Sequence, residues 1–419
     1  MKIGCLILIL LAGLVAVEAT GAETPVAVPV EGKPFGAELT AVDARWKLTF
    51  GAGDTRRVLP AAGLVRWGKC PEIGHGPLLV LADGSLLAAD PLGSDKRNLK
   101  AESLLLGPIE LPLELVTAAV FHAPADRRRR DLFLDQLTTA TGSTDRLLLV
   151  NGDELTGSVS RLETDKVHLE TEVGPVEIQT ARVAAILFNP ALARRPRQDG
   201  LAAWVGLSDG SRIRATRLIV DAKSAHVSVG KDRSWTVAPG DLVFLQPIGG
   251  QAVYLSDLLL AGPATQESPP TATRGSHTLR RKTQKPAEYR YVPYLDLEWP
   301  WRADRNATGG MLRAGGVLFL KGLGVHSASR LSCVLEKPCR RFEASLAIDD
   351  STDGGGSVRF FVYVDQRQKY ASPIVRGGSK PLAVSVDLTG GSRVDLIVDY
   401  ADRADVLDHA NWLNARLIR

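Results

Sequence analysis

The chain has little excess of charge of either sign. Its 51 lysines and arginines are interspersed among 47 acidic residues for a net charge of +4, so no basic surface for nucleic acid is announced. Beyond an apolar run at residues 3–17, no second hydrophobic segment approaches the length of a membrane-spanning helix. Cysteine is scarce, with four in 419 residues, too few for a disulfide scaffold. There is no HExxH signature, no phosphate-cradling glycine loop and no Cys/His metal spacing. Nothing places two carboxylates across a cleft at the separation that glycoside hydrolysis needs. Gly206-Leu207-Ser208-Asp209-Gly210 matches the nucleophile-elbow pattern literally, but an elbow needs a strand-to-helix turn. Here Ser211-Arg212-Ile213-Arg214-Ala215 continues as a strand.

What is present begins with a leader. Lys2, the apolar run at 3–17 and the small residues through Ala19 and Ala22 read as a secretory signal at 1–22, cleaved after Ala22 or Ala19. Cys5 sits at the start of that run, which argues against a lipid anchor. The mature protein is expected outside the cytoplasm, where Cys333 and Cys339, symmetric about a turn at Glu336-Lys337-Pro338, can form a disulfide or remain thiols. Cys70 is left unpaired. Residues 23–35, rich in proline, are expected to be a disordered lead.

The body then repeats itself. The turns Asp83-Gly84, Asn151-Gly152 and Asp209-Gly210 each follow an apolar run. A second glycine comes 23, 22 and 20 residues after the first, and a strand ends at Phe121, Phe188 or Phe244 after 37, 36 and 34 residues. Near-constant offsets are the mark of an internal repeat. Alternation at Leu155, Gly157, Val159 and at Val167, Leu169, Thr171 gives half-buried strands, and the units suit small SH3-like or Sm-like barrels. We place a partial copy plus the first barrel at 36–122, a short helix or linker at 123–146, and further barrels at 147–190 and 200–248. The Arg127-Arg128-Arg129-Arg130 run reads as a solvated first helical turn.

The C-terminal part, 251–419, holds the candidate chemistry and a mobile loop at 262–285, rich in Pro, Thr, Ser and basic residues. Its motifs are Lys321-Gly322-Leu323-Gly324-Val325-His326-Ser327, Ile348-Asp349-Asp350, Val362-Tyr363-Val364-Asp365 and Asp408-His409-Ala410-Asn411-Trp412. His326 follows glycines that permit close backbone approach, as a sugar-hydroxyl donor or as a buried histidine bonded to a carbonyl. Asp349, Asp350 and Asp353, on a glycine-rich turn, are oxygen donors of the kind Ca²⁺ takes or partners of turn amides. Asp408, His409 and Trp412 could meet a pyranose, the indole stacking on its C–H face, or Trp412 could fill the core. Trp299 and Trp301 are the rival aromatic pair. Arg376, on a glycine turn, is a sugar-stacking or plain surface guanidinium. Asn306-Ala307-Thr308 is a glycosylation sequon in a host that uses one.

Taken in order, these motifs resemble the NPCBM family of carbohydrate-binding modules, from the opening segment Val253-Tyr254-Leu255-Ser256-Asp257-Leu258 to the last residue. The resemblance implies a galactose-binding-like β-sandwich that recognises sugar. The whole is therefore expected to be all-β, with tandem small barrel-like repeats preceding a β-sandwich. The first functional expectation is a secreted, non-catalytic carbohydrate-binding protein whose repeats act as spacer or docking platform. The second is a structural or adhesive cell-envelope protein that binds another protein, and the third a glycoside hydrolase or its accessory subunit. Glycan is the expected partner and calcium the one cofactor considered, with no nucleic acid and no membrane span. His326, Asp349-Asp350 and Asp408-His409, each at a strand end, are expected to meet at one end of the sandwich.

Overall fold

The computed structural model describes residues 24–95, 97–194, 200–230, 233–260, 277–278, 288–291 and 299–419. The expected leader lies outside them, as does the loop expected at 262–285 apart from His277–Thr278, a short strand that pairs with Glu288–Tyr291.

The glycine turns are alike in detail. Gly84, Gly152 and Gly210 have φ of 88°, 93° and 93°, where only glycine is unstrained. In each, the Leu81, Leu149 or Leu207 N–H donates across the turn to Ser85, Asp153 or Ser211. The side-chain oxygen of Asp83, Asn151 or Asp209 accepts the N–H two residues on, an Asx turn that fixes the reversal. Each turn follows an opening strand: Leu78–Leu81, Asp145–Leu149 and Ala202–Leu207. Each opening strand pairs antiparallel with a closing one: Val116–Val120, Val183–Leu187 and Leu242–Ile248. One 3₁₀ turn enters every closing strand: Leu113–Leu115, Thr180–Arg182 and Pro239–Asp241.

The front segment departs from expectation. Val26–Pro29, placed in the disordered lead, is a strand paired with Leu64–Gly68, and Ala61–Gly63 is the matching 3₁₀ turn. The supposed partial copy thus has the opening strand it lacked in the sequence reading. Nor do the units close into separate barrels. Val116–Val120 pairs with Val183–Leu187, and Leu64–Gly68 pairs with Leu242–Ile248, so sheets run between units. Phe121 and Phe188 lie buried in the apolar core that all four units share, while Phe244 is buried against Cys70 and Leu318.

Helix α1, Arg127–Thr139, starts at an Asp126 cap whose carboxylate accepts the Arg129 N–H. Its first turn is not wholly solvated: Arg130 is buried and donates to the Pro124 and Ala125 carbonyls.

From Ala252 onward the described residues build a β-sandwich. One sheet holds Gly322–His326, His409–Ile418, Arg341–Ile348 and Leu382–Asp387, with Ala252–Tyr254 pairing along His409–Ile418. The other holds Ser329–Val334, Arg393–Tyr400, Ser357–Val364 and Arg367–Ala371. Alternating side chains fill the space between: Phe342, Leu346, Phe360, Val362, Leu396 and Trp412 are buried there. Trp412 is 1% exposed and packs edge-on against Phe342 and Phe360, with centroids at 5.9 and 4.9 Å. It is a core residue, not a sugar platform. Burying an indole this fully contributes about 2–3 kcal/mol.

The two halves are joined tightly. Gly250 abuts the Ala62 backbone so closely that a Cβ would lie 2.8 Å away, so the boundary between the last repeat and residues 251–419 is a packed joint. Buried Tyr254 donates to the Val65 carbonyl and accepts from Gln246, which also reaches Asn414. Arg313 of the sandwich, 7% exposed at its side chain, is clamped by Glu72 at 2.6 and 2.8 Å and by Asp131 of α1. Cys70, Cys333 and Cys339 are buried free thiols, so of the two states open to Cys333 and Cys339 the structure shows the thiols. Burial pushes Cys70 up to about 12 and Cys333 up to about 11.

Candidate functional site

Glycines place the first histidine. A Cβ on Gly324 would lie 2.3 Å from the Arg305 carbonyl, and one on Gly322 2.6 Å from that of Trp412. Only glycine lets the 304–306 loop and the neighbouring strand close on Gly322–His326. That strand pairs with His409–Ile418 in a register that sets His326 opposite His409. Their ring centroids are 5.7 Å apart. Half-buried Trp299 stacks on His326 at 4.8 Å with planes 10° apart, and lies 5.4 Å from His409. Three aromatic rings therefore form one cluster at this end of the sandwich.

Burial, helped by the neighbouring His409, pulls His326 down to about 4, and burial lowers His409 as well. Both rings are neutral near pH 7, each offering one N–H and one lone pair. Next to them, Asp408 accepts the Ser357 N–H at 2.8 Å through one oxygen. Its other oxygen is buried with no hydrogen bond of good geometry. Burial pushes Asp408 up to about 6, tempered by the Ser357 amide and the nearby Ser327 hydroxyl.

Asp349 lies beneath this cluster and organises it. Its amide donates to the His409 carbonyl at 2.8 Å. Its carboxylate accepts from the Asn306 and Asn411 side chains at 2.9 and 2.7 Å and from the Ser351 and Arg313 amides, both at 3.0 Å. Four donors occupy all the lone pairs of one carboxylate, so Asp349 is no calcium ligand as folded. Asp350 turns aside to accept the Gly315 and Gly316 amides, and Asp353 is an exposed residue with φ of 51°. Among the described residues no group of three His, Cys, Asp or Glu is disposed to hold a metal ion. Asn306, buried and bonded to Asp349, is no accessible sequon.

Arg376 stands at the rim, paired with Asp402 at 2.7 Å, both about half exposed. Ser357 links this pair to Asp408, donating through its hydroxyl to the Asp402 carbonyl. Val406 and Leu407, 60% and 45% exposed, add an apolar lip. The fold thus gathers His326, Asp408 and His409 over Asp349, puts Arg376 at the edge, and sends Trp412 to the core. Trp299 completes the cluster. Its Trp-Pro-Trp context had marked it as an aromatic candidate, but nothing in the spacing tied it to His326. Elsewhere, the Ser208 hydroxyl of the elbow-like sequence donates to Asp241 at 2.7 Å within a strand–turn–strand, so it is no nucleophile elbow.

Comparison with known proteins agrees with the motif order from residue 295 onward, the segment at 253–258 lying outside the match. Residues 295–418 match the NPCBM/NEW2 domain family. A Renibacterium salmoninarum protein named for endo-alpha-N-acetylgalactosaminidase activity is 34% identical over 110 residues, 26% of this chain and 7% of that protein. An Akkermansia muciniphila alpha-1,3-galactosidase B is 32% identical over 117 residues, 27% of this chain and 15% of that protein. The matched segment thus spans less than a sixth of either relative. Among solved structures, a CBM51 from Clostridium perfringens in complex with methyl-galactose aligns at 21% identity and a TM-score of 0.30, over 40% of this chain and 99% of that one.

Proposed function

We propose that this chain, whose residues 295–418 match the NPCBM/NEW2 domain family, is an extracytoplasmic, non-catalytic glycan-binding protein. Its sandwich would hold a galactose- or N-acetylgalactosamine-type sugar at the Trp299–His326–His409 end. The stacked Trp299–His326 pair carries this reading. An indole held rigid by a second ring offers a C–H face a platform at little entropic cost. The two imidazoles and the Arg376–Asp402 pair supply donors and acceptors for ring hydroxyls. The sugar class is supported by the names of the two relatives, one an endo-alpha-N-acetylgalactosaminidase by name and the other an alpha-1,3-galactosidase. The apolar run at 3–17 supports export. The packed joint between the halves favours the N-terminal repeats as a rigid platform rather than a flexible spacer.

A glycan array with the full mature chain tests the proposal. Reproducible binding to galactose- or N-acetylgalactosamine-terminated glycans, lost in Trp299→Ala, is expected. An array with no saccharide bound, or binding indifferent to Trp299, sinks it.

A further inference from the structure

The outer face of the sandwich sheet that carries His409–Ile418 is covered at two places. On one side Val30 and Val65 of the N-terminal half pack on Ala252 and Ile418. On the other, the Leu312–Phe319 hairpin packs Leu312 and Ala314 on Ala347 and Leu413. Between these two apolar seals none of the described residues covers the sheet, and the gap is an open groove of about 710 Å³. That is within the range of ligand sites, roughly 300–1,000 Å³, and far larger than a packing defect.

The lining is not that of an unfilled core. Alternation turns Arg341, Glu343 and Ser345 outward, opposite to Phe342 and Leu346. Four cations line the groove, Arg66, Arg341, Lys380 and Arg416, against two carboxylates, Glu31 and Glu343. Arg341 takes both carboxylates, at 2.6 Å to Glu343 and 3.0 Å to Glu31, and Arg416 shares Glu343 at 2.5 Å. Arg66 and Lys380 have no acidic partner among the described residues. Arg66 is half-buried, its one hydrogen bond running to the Gly68 carbonyl. Burial, with the neighbouring Arg416 charge, lowers its pKa. A half-buried guanidinium beside a second one is a costly arrangement unless an anion compensates it.

We infer that this groove is a second saccharide site, selective for a sugar chain carrying a carboxylate or sulfate, with Arg66 and Lys380 reading the anion. Ser345 and Ser385 on the sheet face offer hydroxyl partners, and Phe319 and Pro381 in the walls offer apolar contact for ring C–H faces. The groove needs both halves of the chain, and it does not depend on the Trp299 end, so either site can fail alone.

Calorimetry on the full mature chain provides the test, with tri-galacturonate and a chondroitin sulfate tetrasaccharide as acidic probes and cellotetraose, which lacks galactose, as the neutral one. At least one acidic probe is expected to bind, more weakly as salt rises. Arg66→Gln should weaken that binding on the order of tenfold, as for a lost charge-assisted pair. The exposed Lys380→Gln, which leaves the fold untouched, should weaken it about threefold, and Trp299→Ala should leave it unchanged. Binding of tri-galacturonate assigns the anion to carboxylate, and binding of the chondroitin sulfate alone, lost when it is desulfated, assigns it to sulfate. The inference is overturned if neither acidic probe binds, if cellotetraose binds as tightly, or if both groove variants bind as the parent does.

Discussion

Asp131→Ala should be among the most costly single changes in the chain, because α1 serves as a clamp on the sandwich. Asp131 and Arg313 are each 7% exposed at the side chain. The Asp131 carboxylate accepts from two nitrogens of the Arg313 guanidinium and from the Met311 amide at 3.1 Å. Removing it strands a donor amide and leaves half of a buried guanidinium bare. Breaking a buried ion pair from one side typically costs about 3–5 kcal/mol. Glu72, itself 35% exposed, stays on the other edge of Arg313 and moderates the loss, so about 2–4 kcal/mol is expected. Asp131→Asn, which keeps an acceptor for Met311, should cost roughly half as much. In the Asp131→Ala background, Arg313→Met should recover part of the loss by deleting the stranded charge. Urea titration followed by tryptophan fluorescence measures each variant and the cycle. A loss below about 0.5 kcal/mol for Asp131→Ala, the size of an ordinary surface change, or purely additive effects with Arg313→Met, would refute the clamp.

Other outcomes follow from the same geometry. Trp412→Ala should cost about 3–5 kcal/mol through the lost Phe342 and Phe360 contacts; a mild effect that removed sugar binding alone would put Trp412 back in the site. The pH profile carries two opposing contributions. Burial pulls folded His326 down to about 4, against an ordinary 6.5, so between those values the unfolded chain takes up a proton that the native state refuses, and acid destabilises. Asp408 titrates at about 6, against 3.8, so the native state takes up its proton first, and acid stabilises between about 6 and 4. Asp408→Asn should therefore raise stability near pH 8 by about 1–2 kcal/mol and steepen the acid loss between pH 6.5 and 4; lower stability at pH 8 would contradict it. Residues 251–419 expressed alone should fold less stably than in the full chain, since Glu72, Asp131 and Val65 are absent; an isolated domain as stable as the whole would show the joint to be inconsequential.

What could be read from the chain was local. The Asp-Gly and Asn-Gly turns and the alternation after them carry their own geometry, and the motif order reports the sandwich. What could not be read was long-range. Val26–Pro29 looked like a disordered lead because two prolines and a four-residue strand carry almost no periodicity; its partner, Leu64–Gly68, lies far along the chain. Closing strands that pair between units as well as within their own leave each unit's own pattern unchanged. Trp412 fits an alternating strand whether its indole faces core or solvent, and only the Phe342 and Phe360 contacts decide. Trp299 meets His326 because two strands and a loop converge. Asp349 looked like a cation ligand because the asparagines that occupy its oxygens come from distant segments.

The central claim, that sugar meets this chain at the Trp299–His326–His409 end, is tested most directly through the imidazoles. The chain has seven histidines, few enough for each ring to be resolved by ¹H–¹³C NMR of histidine-labelled protein and assigned by single His→Gln variants. Titration with an N-acetylgalactosamine- or galactose-terminated oligosaccharide should move the His326 and His409 resonances together and saturably while the other histidines stay still. Saturable binding that leaves both of these rings unmoved would contradict the account.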